Sequence, residues 1–318
     1  MKVVAMLGGL GSQMFKYAFF LQIKEDDECY IDTTSYRLQK MWNGYELERI
    51  FGIEEDDITA FVSDNEIENF KNRGLNYKYV AETVIKGLDS SRQVLSFFRG
   101  YCYSVDTHII AQLSMLIYNK VKRMCSKKNE VNDRYPFFYK TKRFSVYYDE
   151  FNHTSDKYLG GGEAKEKLVE IFKFPAFQDE RNVRASEQMK NIESVALHIR
   201  RSDHMYDNRR LFDTGYYRKA VHYIKEQTAS PCFFLFSDES DWCRNNLEIL
   251  GLNTEDKVRI IDWNNGDQSF CDMQLMTYCR HNILAISSFG WWGYYLSNRK
   301  EKIVCAPEGY WLEIEIHF

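Results

Sequence analysis

The sequence has no strong excess of charge of either sign. Its 318 residues include 42 Lys and Arg against 46 Asp and Glu, which gives a formal net charge of −4. Proteins that bind nucleic acid through its phosphates carry a clear surplus of basic side chains. The composition therefore gives no reason to expect a nucleic-acid partner.

Paired cysteines and long apolar runs are also absent. The eight cysteines form no Cys-x-x-Cys pair and lie mostly within apolar stretches, which is typical of reduced, buried thiols. No stretch reaches the roughly 18 to 20 apolar residues of a membrane-spanning helix. We expect a cytoplasmic protein with at most peripheral contact with the inner face of a membrane. The segment 107–128 could make that contact through its basic end, although a core helix with a solvated end is the simpler interpretation.

The sequence contains none of the common patterns that hold a divalent metal or a nucleoside triphosphate. It has no Asp-x-Asp triplet and no Gly-Lys-Ser/Thr loop, and its seven histidines show no metal-ligand spacing. We therefore expect neither a metal nor another cofactor. If a nucleoside diphosphate leaves in a reaction, arginine side chains have to stabilise its charge.

What the sequence does contain is the alternation of an α/β protein. Residues 2–7 are predicted to form a strand, 8–11 a glycine turn, 13–24 a helix and 28–32 a second strand. Together they make a βαβ unit, for which a right-handed crossover is the default.

A second parallel layer is predicted in the later part of the chain. Five short apolar runs separated by helix-length segments lie at 194–199, 232–236, 258–261, 283–286 and 303–306. The glycine run 160–162 and the polar stretch 177–191 have the composition of linkers. We therefore predict two Rossmann-like domains, 1–175 and 176–318.

The strongest candidate for a binding site is the end of the predicted strand 194–199. The apolar run passes there into His198-Ile-Arg200-Arg201-Ser-Asp203. Ligands of open α/β sheets bind at the carboxyl ends of strands, and alternation along the strand should place His198 and Arg200 on one face. Two guanidinium groups suit a diphosphate, because arginine binds phosphate oxygens in pairs. The alternative is a structural ion pair between Arg201 and Asp203.

Two other predicted strands end in small or acidic polar residues. One continues into Ser287-Ser288-Phe289, where hydroxyl and backbone N–H groups at a helix N-terminus could bind phosphate. Another continues into Asp238, whose carboxylate could accept from the N–H edge of guanine. Plain helix capping explains both patterns equally well, with the two tryptophans after Phe289 packed as core.

The opening glycine turn raises a different possibility, a dinucleotide-binding site. Gly9 and Gly11 follow the first strand, and Asp32 lies at about the distance that this fingerprint requires of its acidic residue. Met14, however, occupies the position of a third small residue that close helix packing needs. A nicotinamide-dependent dehydrogenase is therefore disfavoured.

Four ordered motifs lie in these segments. They are Gly-Gly-Leu-Gly-x-Gln-Met-Phe at 8–15, His-x-Arg-Arg-x-Asp at 198–203, Phe-Ser-Asp at 236–238 and Ser-Ser-Phe-x-Trp-Trp-Gly at 287–293. Through these motifs the chain resembles the bacterial α-1,2-fucosyltransferases of glycosyltransferase family 11, nearly from end to end. The resemblance implies a two-domain GT-B-like fold with an interdomain cleft, GDP-β-L-fucose as donor, inversion at the anomeric carbon and no metal requirement.

The resemblance also implies a donor site. Its residues would be Gly9, Gly11, Ser12, Gln13, His198, Arg200, Arg201, Asp238, Ser287, Ser288 and Phe289. Among them, Arg200 and Arg201 would hold the pyrophosphate, Asp238 would face the guanine, and Ser287 with Ser288 would cap the β-phosphate. His198 would support this pocket from domain 176–318, while the glycine loop of the acceptor-side domain 1–175 would close over the fucose.

These roles lead to a single displacement. A hydroxyl of the acceptor, O2 of a galactoside in a bacterial surface glycan or its lipid-linked precursor, attacks the anomeric carbon as GDP leaves, and Arg200 stabilises the developing phosphate charge. The general base has to be a carboxylate that reaches the acceptor proton, with Asp203 as first candidate and Asp32 as rival. Two alternatives stay open: another nucleotide-sugar transferase of this architecture, and a non-catalytic glycan-binding module, suggested by the 16% aromatic content.

Overall fold

The chain forms two compact units. A computed structural model describes residues 1–24, 28–39, 41–88, 90, 93–98, 101–104, 144–148, 159, 162–201, 205–307 and 316–317. Contacts between Cα atoms separate a first unit, Met1–His153 with Lys157–Leu159, from a second unit, Thr154–Asp156 with Gly160–Phe318.

This division lies earlier in the chain than the predicted boundary at 175. The segment 162–175 belongs to the second unit because its side chains and backbone pack there. The ring of Phe172 contacts that of Trp292 edge-on, with centroids 5.1 Å apart. The side-chain amide of Gln274 donates to the carbonyl of Pro175 at 2.8 Å. The predicted boundary is therefore corrected to the region of the glycine run at 160–162.

The first unit has a five-stranded sheet with helices between its strands. The strands are β1 (Lys2–Ala5), β2 (Cys29–Asp32), β3 (Gln93–Phe98), β4 (Tyr101–Ser104) and β5 (Phe144–Tyr148), in the order β2-β1-β5-β3-β4. Among the described residues of this unit, the helices are α1 (Leu10–Ile23), α2 (Thr34–Leu38), α3 (Leu47–Phe51), α4 (Asp64–Asn72) and α5 (Tyr77–Leu88), with a 3₁₀ turn at Ile58–Phe61. All strand pairs are parallel except β3 with β4. The predicted βαβ unit is thus confirmed by β1, α1 and β2.

The second unit has a six-stranded parallel sheet. Its strands are β6 (Ser194–Ile199), β7 (Cys232–Ser237), β8 (Lys257–Ile261), β9 (His281–Ile283), β10 (Val304–Ala306) and β11 (Ile316–His317), in the order β11-β10-β9-β6-β7-β8. The helices are α6 (Gly162–Ile171), α7 (Glu180–Asn191), α8 (Met205–Asp213), α9 (Tyr216–Gln227), α10 (Ser240–Asn245), α11 (Phe270–Tyr278) and α12 (Ser288–Tyr295), with 3₁₀ turns at Leu247–Leu250 and Gly266–Gln268.

Both faces of this sheet are covered, which explains why its strands are almost continuously apolar. Leu197 and Ile199 of β6 pack in one buried cluster with residues of α9. Ala196 packs in a second cluster on the opposite face, with residues of α7 and α11. His198 therefore points to the same face as Ala196, as the predicted alternation along β6 requires.

Two local predictions for the second unit are wrong. The polar stretch 177–191 is mostly the helix α7, which Asp179 caps and whose Met189 is fully buried. The apolar run 283–286 is in the sheet only at its start: β9 ends at Ile283, the Leu284 N–H still donates to the carbonyl of Cys305 at 2.9 Å, and the Ile286 backbone is bound by the side chain of Asn208, which accepts at 2.9 Å and donates at 3.2 Å.

Among the described residues, none of the helices is both long and apolar enough to cross a membrane. The basic segment 107–128, for which we predict either a membrane-surface helix or a core helix, lies outside the described residues.

Candidate active site

The candidate site lies at the carboxyl edge of the second unit's sheet, where β6 and β7 end side by side. Ile199, the last residue of β6, is the register partner of Ser237, the last residue of β7. The residues that follow each strand, Arg200 and Asp238 first, therefore emerge next to each other. The two motifs that looked separate in the sequence form one cluster.

Asp238 contacts both arginine residues of the cluster. One carboxylate oxygen accepts from the backbone N–H of Arg201 at 3.0 Å, and the other lies 3.4 Å from Nε of Arg200. The side chains of Asp238 and Arg200 are 15% and 25% exposed, so their attraction is only partly screened by water. Both carboxylate oxygens of Asp238 are therefore already directed at arginine groups, an arrangement that favours a bracing role over the predicted contact with guanine.

Arg201 is held by a carboxylate and an aromatic ring. Its Nε–H donates to Glu239 Oε2 at 2.9 Å, and its Cζ lies 3.8 Å from the centroid of the Trp242 ring. A planar guanidinium group over an indole combines stacking with a cation–π attraction. The alternative ion pair of Arg201 with Asp203 stays a prediction, because Asp203 lies outside the described residues.

His198 lies beneath the arginines and carries no charge near neutral pH. It is 4% exposed, and burial, with the nearby Arg200 charge, lowers the pKa of His198 to about 3. A Cβ atom placed on Gly290 would lie 2.3 Å from its Nδ1, so the start of α12 can approach the ring only because residue 290 is glycine. His198 is thus a buried, neutral side chain that packs against the start of α12 at this edge of the sheet. Its contact with a donor stays a prediction.

The serine motif forms the N-terminus of α12 at the same edge. Ser287 is the N-cap, and its hydroxyl accepts from the backbone N–H of Phe289 at 3.3 Å. Ser288 is the first helical residue, so the hydroxyls lie where the helix dipole favours an anion. Trp291 and Trp292 are 1% and 0% exposed, which confirms that they are core residues.

The glycine loop lies in the first unit, between β1 and α1. Gly8 has φ +90°, and an added Cβ would be 2.8 Å from the Cβ of Ser12. Gly9 caps α1, and Gly11 and Ser12 form the first turn of this helix. Gln13 is fully buried and supports the turn from behind, because its amide nitrogen donates to the carbonyl of Gly8 at 3.0 Å. In this structure Gln13 positions the loop and is not exposed to a ligand.

Asp32, the rival general base, is also enclosed. It is 1% exposed, one oxygen accepts from the hydroxyl of Tyr147 at 2.6 Å, and the other accepts from the backbone N–H of Thr34 at 2.8 Å. Burial raises the pKa of Asp32 to about 6 in spite of these hydrogen bonds. Burial therefore argues against Asp32 as the general base, and Asp203, which lies outside the described residues, stays a prediction.

Sequence reasoning missed three supporting residues. Glu239 and Trp242, which hold Arg201, lie one and four residues after Asp238 in the chain. Their position just after the end of a predicted strand was a usable signal. Asn208 gave no such signal, because it is 78 residues away in sequence from the Ile286 backbone that it binds. Within the described part of the chain, no three His, Cys, Asp or Glu side chains are grouped as metal ligands would be.

The family model of glycosyl transferase family 11 matches residues 115–311, which is more than half of the chain. The chain therefore belongs to glycosyl transferase family 11 and is a glycosyltransferase. The matched range includes β6, β7 and α12, whose ends form the candidate site.

Named relatives agree with this assignment. An α-1,2-colitosyltransferase of Escherichia coli is 27% identical over 320 residues, covering 98% of this chain and 93% of that protein. The galactoside α-(1,2)-fucosyltransferase 2 of Oryctolagus cuniculus is 29% identical over 110 residues, which cover 32% of this chain and 29% of that protein. A mutant of Arabidopsis thaliana FUT1 in complex with GDP has a TM-score of 0.52 at 13% identity, covering 97% of this chain and 71% of that chain. The last likeness concerns the fold, and the predicted α/β architecture of GT-B type is confirmed.

Proposed function

We propose that this glycosyltransferase moves L-fucose from GDP-β-L-fucose to a glycan hydroxyl, with inversion at the anomeric carbon and without a metal. The observation that carries the proposal is the pair Arg200 and Arg201 at the end of β6, braced by Asp238 and Glu239. Bracing matters because a guanidinium group that is already oriented needs no reorganisation when phosphate charge develops.

The proposed reaction is one displacement. The acceptor oxygen forms a bond to the anomeric carbon while the bond from that carbon to the β-phosphate oxygen breaks, and its electron pair leaves with GDP. Arg200 and Arg201 stabilise the added negative charge, and the N-terminus of α12 at Ser287 supplies further positive potential. The acceptor proton goes to a carboxylate, for which we propose Asp203.

A related donor is the second candidate. The relative that matches this chain almost from end to end is named a colitosyltransferase. A donor of activated colitose would use the same diphosphate site, because the two reactions differ in the sugar and share the leaving group. The choice between fucose and colitose therefore has to be tested with both donors.

We propose as acceptor the O2 hydroxyl of a galactoside in a bacterial surface glycan or its lipid-linked precursor. The partial similarity to a galactoside α-(1,2)-fucosyltransferase supports this choice. We also propose that the reaction takes place in the cytoplasm, at most at the inner face of the membrane.

The test is an assay of nucleoside diphosphate release, GDP or UDP according to the donor, with purified protein. GDP-fucose, GDP-colitose, GDP-mannose and UDP-galactose are each supplied with lactose or methyl β-D-galactopyranoside, with and without EDTA. We expect release from GDP-fucose that lactose accelerates and that EDTA does not change, and NMR of the product should show an α linkage to O2.

Other outcomes would contradict particular parts of the proposal. Preference for GDP-colitose would change the donor only, whereas loss of activity in EDTA would reject the metal-independent mechanism. Binding of lactose without nucleoside diphosphate release from any donor would indicate a glycan-binding module, and stabilisation by a nicotinamide cofactor but not by GDP would indicate a dehydrogenase.

A further inference from the structure

Trp42 is one of the few aromatic residues that are exposed in the part of the chain that the structure describes. Its side chain is 50% exposed, and among the described residues only Phe61 and Tyr79 are aromatic residues with comparable exposure. Its backbone φ is +45°, in the left-handed region that residues with a side chain seldom adopt. Such conformations persist where the surrounding structure imposes them, and they are frequent at ligand sites.

The loop that carries Trp42 is held on the carboxyl side of that residue, and the backbone N–H of Gly44 donates to the carbonyl of Met41 at 2.9 Å across the turn. The amide nitrogen of Gln13 donates to the carbonyl of Gly44 at 2.9 Å, and the amide oxygen accepts from the backbone N–H of Glu46 at 2.8 Å. The carboxylate of Glu46, 2% exposed, also pairs with Arg49 at 2.8 Å. The exposure of the indole is therefore a property of a fixed loop.

The position of Trp42 in the first unit is that of a ligand site. A Cβ atom on Gly9 would lie 3.7 Å from Cδ1 of Trp42, so the indole flanks the glycine turn at the carboxyl end of β1. β1 lies between β2 and β5, and the chain continues from β2 to β3 on the other side of β1. The carboxyl edge at such a reversal of strand order is where open α/β sheets bind their ligands.

We propose that the indole face of Trp42 is a stacking platform for a pyranose ring of the acceptor glycan. This inference rests on the proposed function, which supplies the glycan. A pyranose presents an apolar C–H face that an aromatic ring can cover, and a tryptophan offers a large, rigid surface for it at low entropic cost. One exposed ring is much smaller than the apolar patches of a few hundred Å² that mark protein interfaces, so a sugar is the occupant that fits.

The test compares Trp42→Ala and Trp42→Phe with the control Phe61→Ala, which removes another exposed aromatic ring of the first unit. Each variant is assayed for the KM of the acceptor, either lactose or methyl β-D-galactopyranoside, and for GDP release from GDP-fucose in the absence of acceptor. We expect Trp42→Ala to raise the acceptor KM by about five- to tenfold and Trp42→Phe by less, with acceptor-free GDP release unchanged.

Three results would overturn the proposal. The first is an acceptor KM in Trp42→Ala that stays within twofold of wild type. The second is an equal rise of the acceptor KM in Phe61→Ala. The third is a change in the KM for GDP-fucose in the acceptor-free reaction, which would assign the ring to the donor sugar. Absence of GDP release from every donor in wild type would instead mean that the proposed function has failed. Trp42 would then be tested by tryptophan fluorescence. The emission of Trp42 is the difference between the spectra of wild type and Trp42→Phe, and lactose should quench this difference. Absence of quenching would reject the stacking platform.

Discussion

Replacing Asp238 with asparagine keeps the shape of the side chain but removes the charge that attracts Arg200. The remaining amide oxygen can still accept from the Arg201 backbone N–H, so the loss is mainly that of the contact between the Asp238 carboxylate and Arg200 Nε at 3.4 Å. At 3.4 Å this contact is an ion pair, and exposed ion pairs contribute about 0.2 to 1 kcal/mol, so the 15% and 25% exposure of the two side chains places this pair somewhat above that range. We expect kcat/KM for GDP release from GDP-fucose to fall about tenfold, which corresponds to roughly 1.4 kcal/mol.

The same variant separates bracing of the arginines from recognition of guanine. GDP and IDP differ only in the exocyclic amine of the base, so a carboxylate that binds this edge distinguishes the two nucleotides. If Asp238 braces the arginines, the ratio of the Kd values for GDP and IDP stays the same in Asp238→Asn. The matched control is Asp241→Asn, whose carboxylate is 96% exposed and lies 4.0 Å from Arg244. Two results would refute the bracing role of Asp238. One is a kcat/KM in Asp238→Asn equal to that of wild type, and the other is a ratio of the Kd values for GDP and IDP that falls to one in this variant.

Two further predictions concern the packing beneath the site. Gly290→Ala places a Cβ atom 2.3 Å from His198 Nδ1, so the free energy of unfolding in urea should fall by about 1 to 3 kcal/mol. The control is Gly87→Ala in α5, where the added Cβ atom has no neighbour within 4 Å, so this variant should lose no stability. Equal losses of stability in the two variants would contradict the close packing of Gly290 against His198. His198, whose folded-state pKa of about 3 lies below its usual 6.5, stays neutral in the folded protein and takes up a proton on unfolding. Stability should therefore fall as pH drops from 6.5 toward 3, and His198→Asn should lessen this slope by up to one proton, or about 1.4 kcal/mol per pH unit. Parallel pH curves for wild type and His198→Asn would reject the buried neutral histidine.

The strand ends were predictable, but the partners of the residues at those ends were not. The apolar run before His198 and its abrupt change to charge locate the edge of β6 from sequence alone. That Asp238 reaches the Arg201 N–H depends on the register of β6 with β7, where Ile199 is opposite Ser237. Arg201 and Asp238 are 37 residues apart in the chain, and the register of β6 with β7 that brings them together is set by the whole sheet. No local sequence pattern predicts it.

The same limit explains the errors in segmentation. The stretch 177–191 is rich in polar residues because most of α7 faces water, while a sparse apolar spacing, Ala185 and Met189, is enough to bury one face. Polarity alone therefore suggested a linker where there is a helix. Likewise, the conspicuous Gln13 of the glycine motif suggested a ligand contact, whereas its amide binds backbone groups as much as 33 residues away.

The proposed reaction requires above all that Arg200 and Arg201 neutralise the diphosphate. Calorimetric titration of wild type and Arg200→Lys with GDP and with guanosine tests it directly, because the two ligands share the base and differ in the phosphates. We predict that Arg200→Lys weakens the binding of GDP by tenfold or more, since a lysine cannot replace the bidentate fork, and that the affinity for guanosine stays the same. Unchanged GDP affinity, or an equal loss for guanosine, would contradict the account.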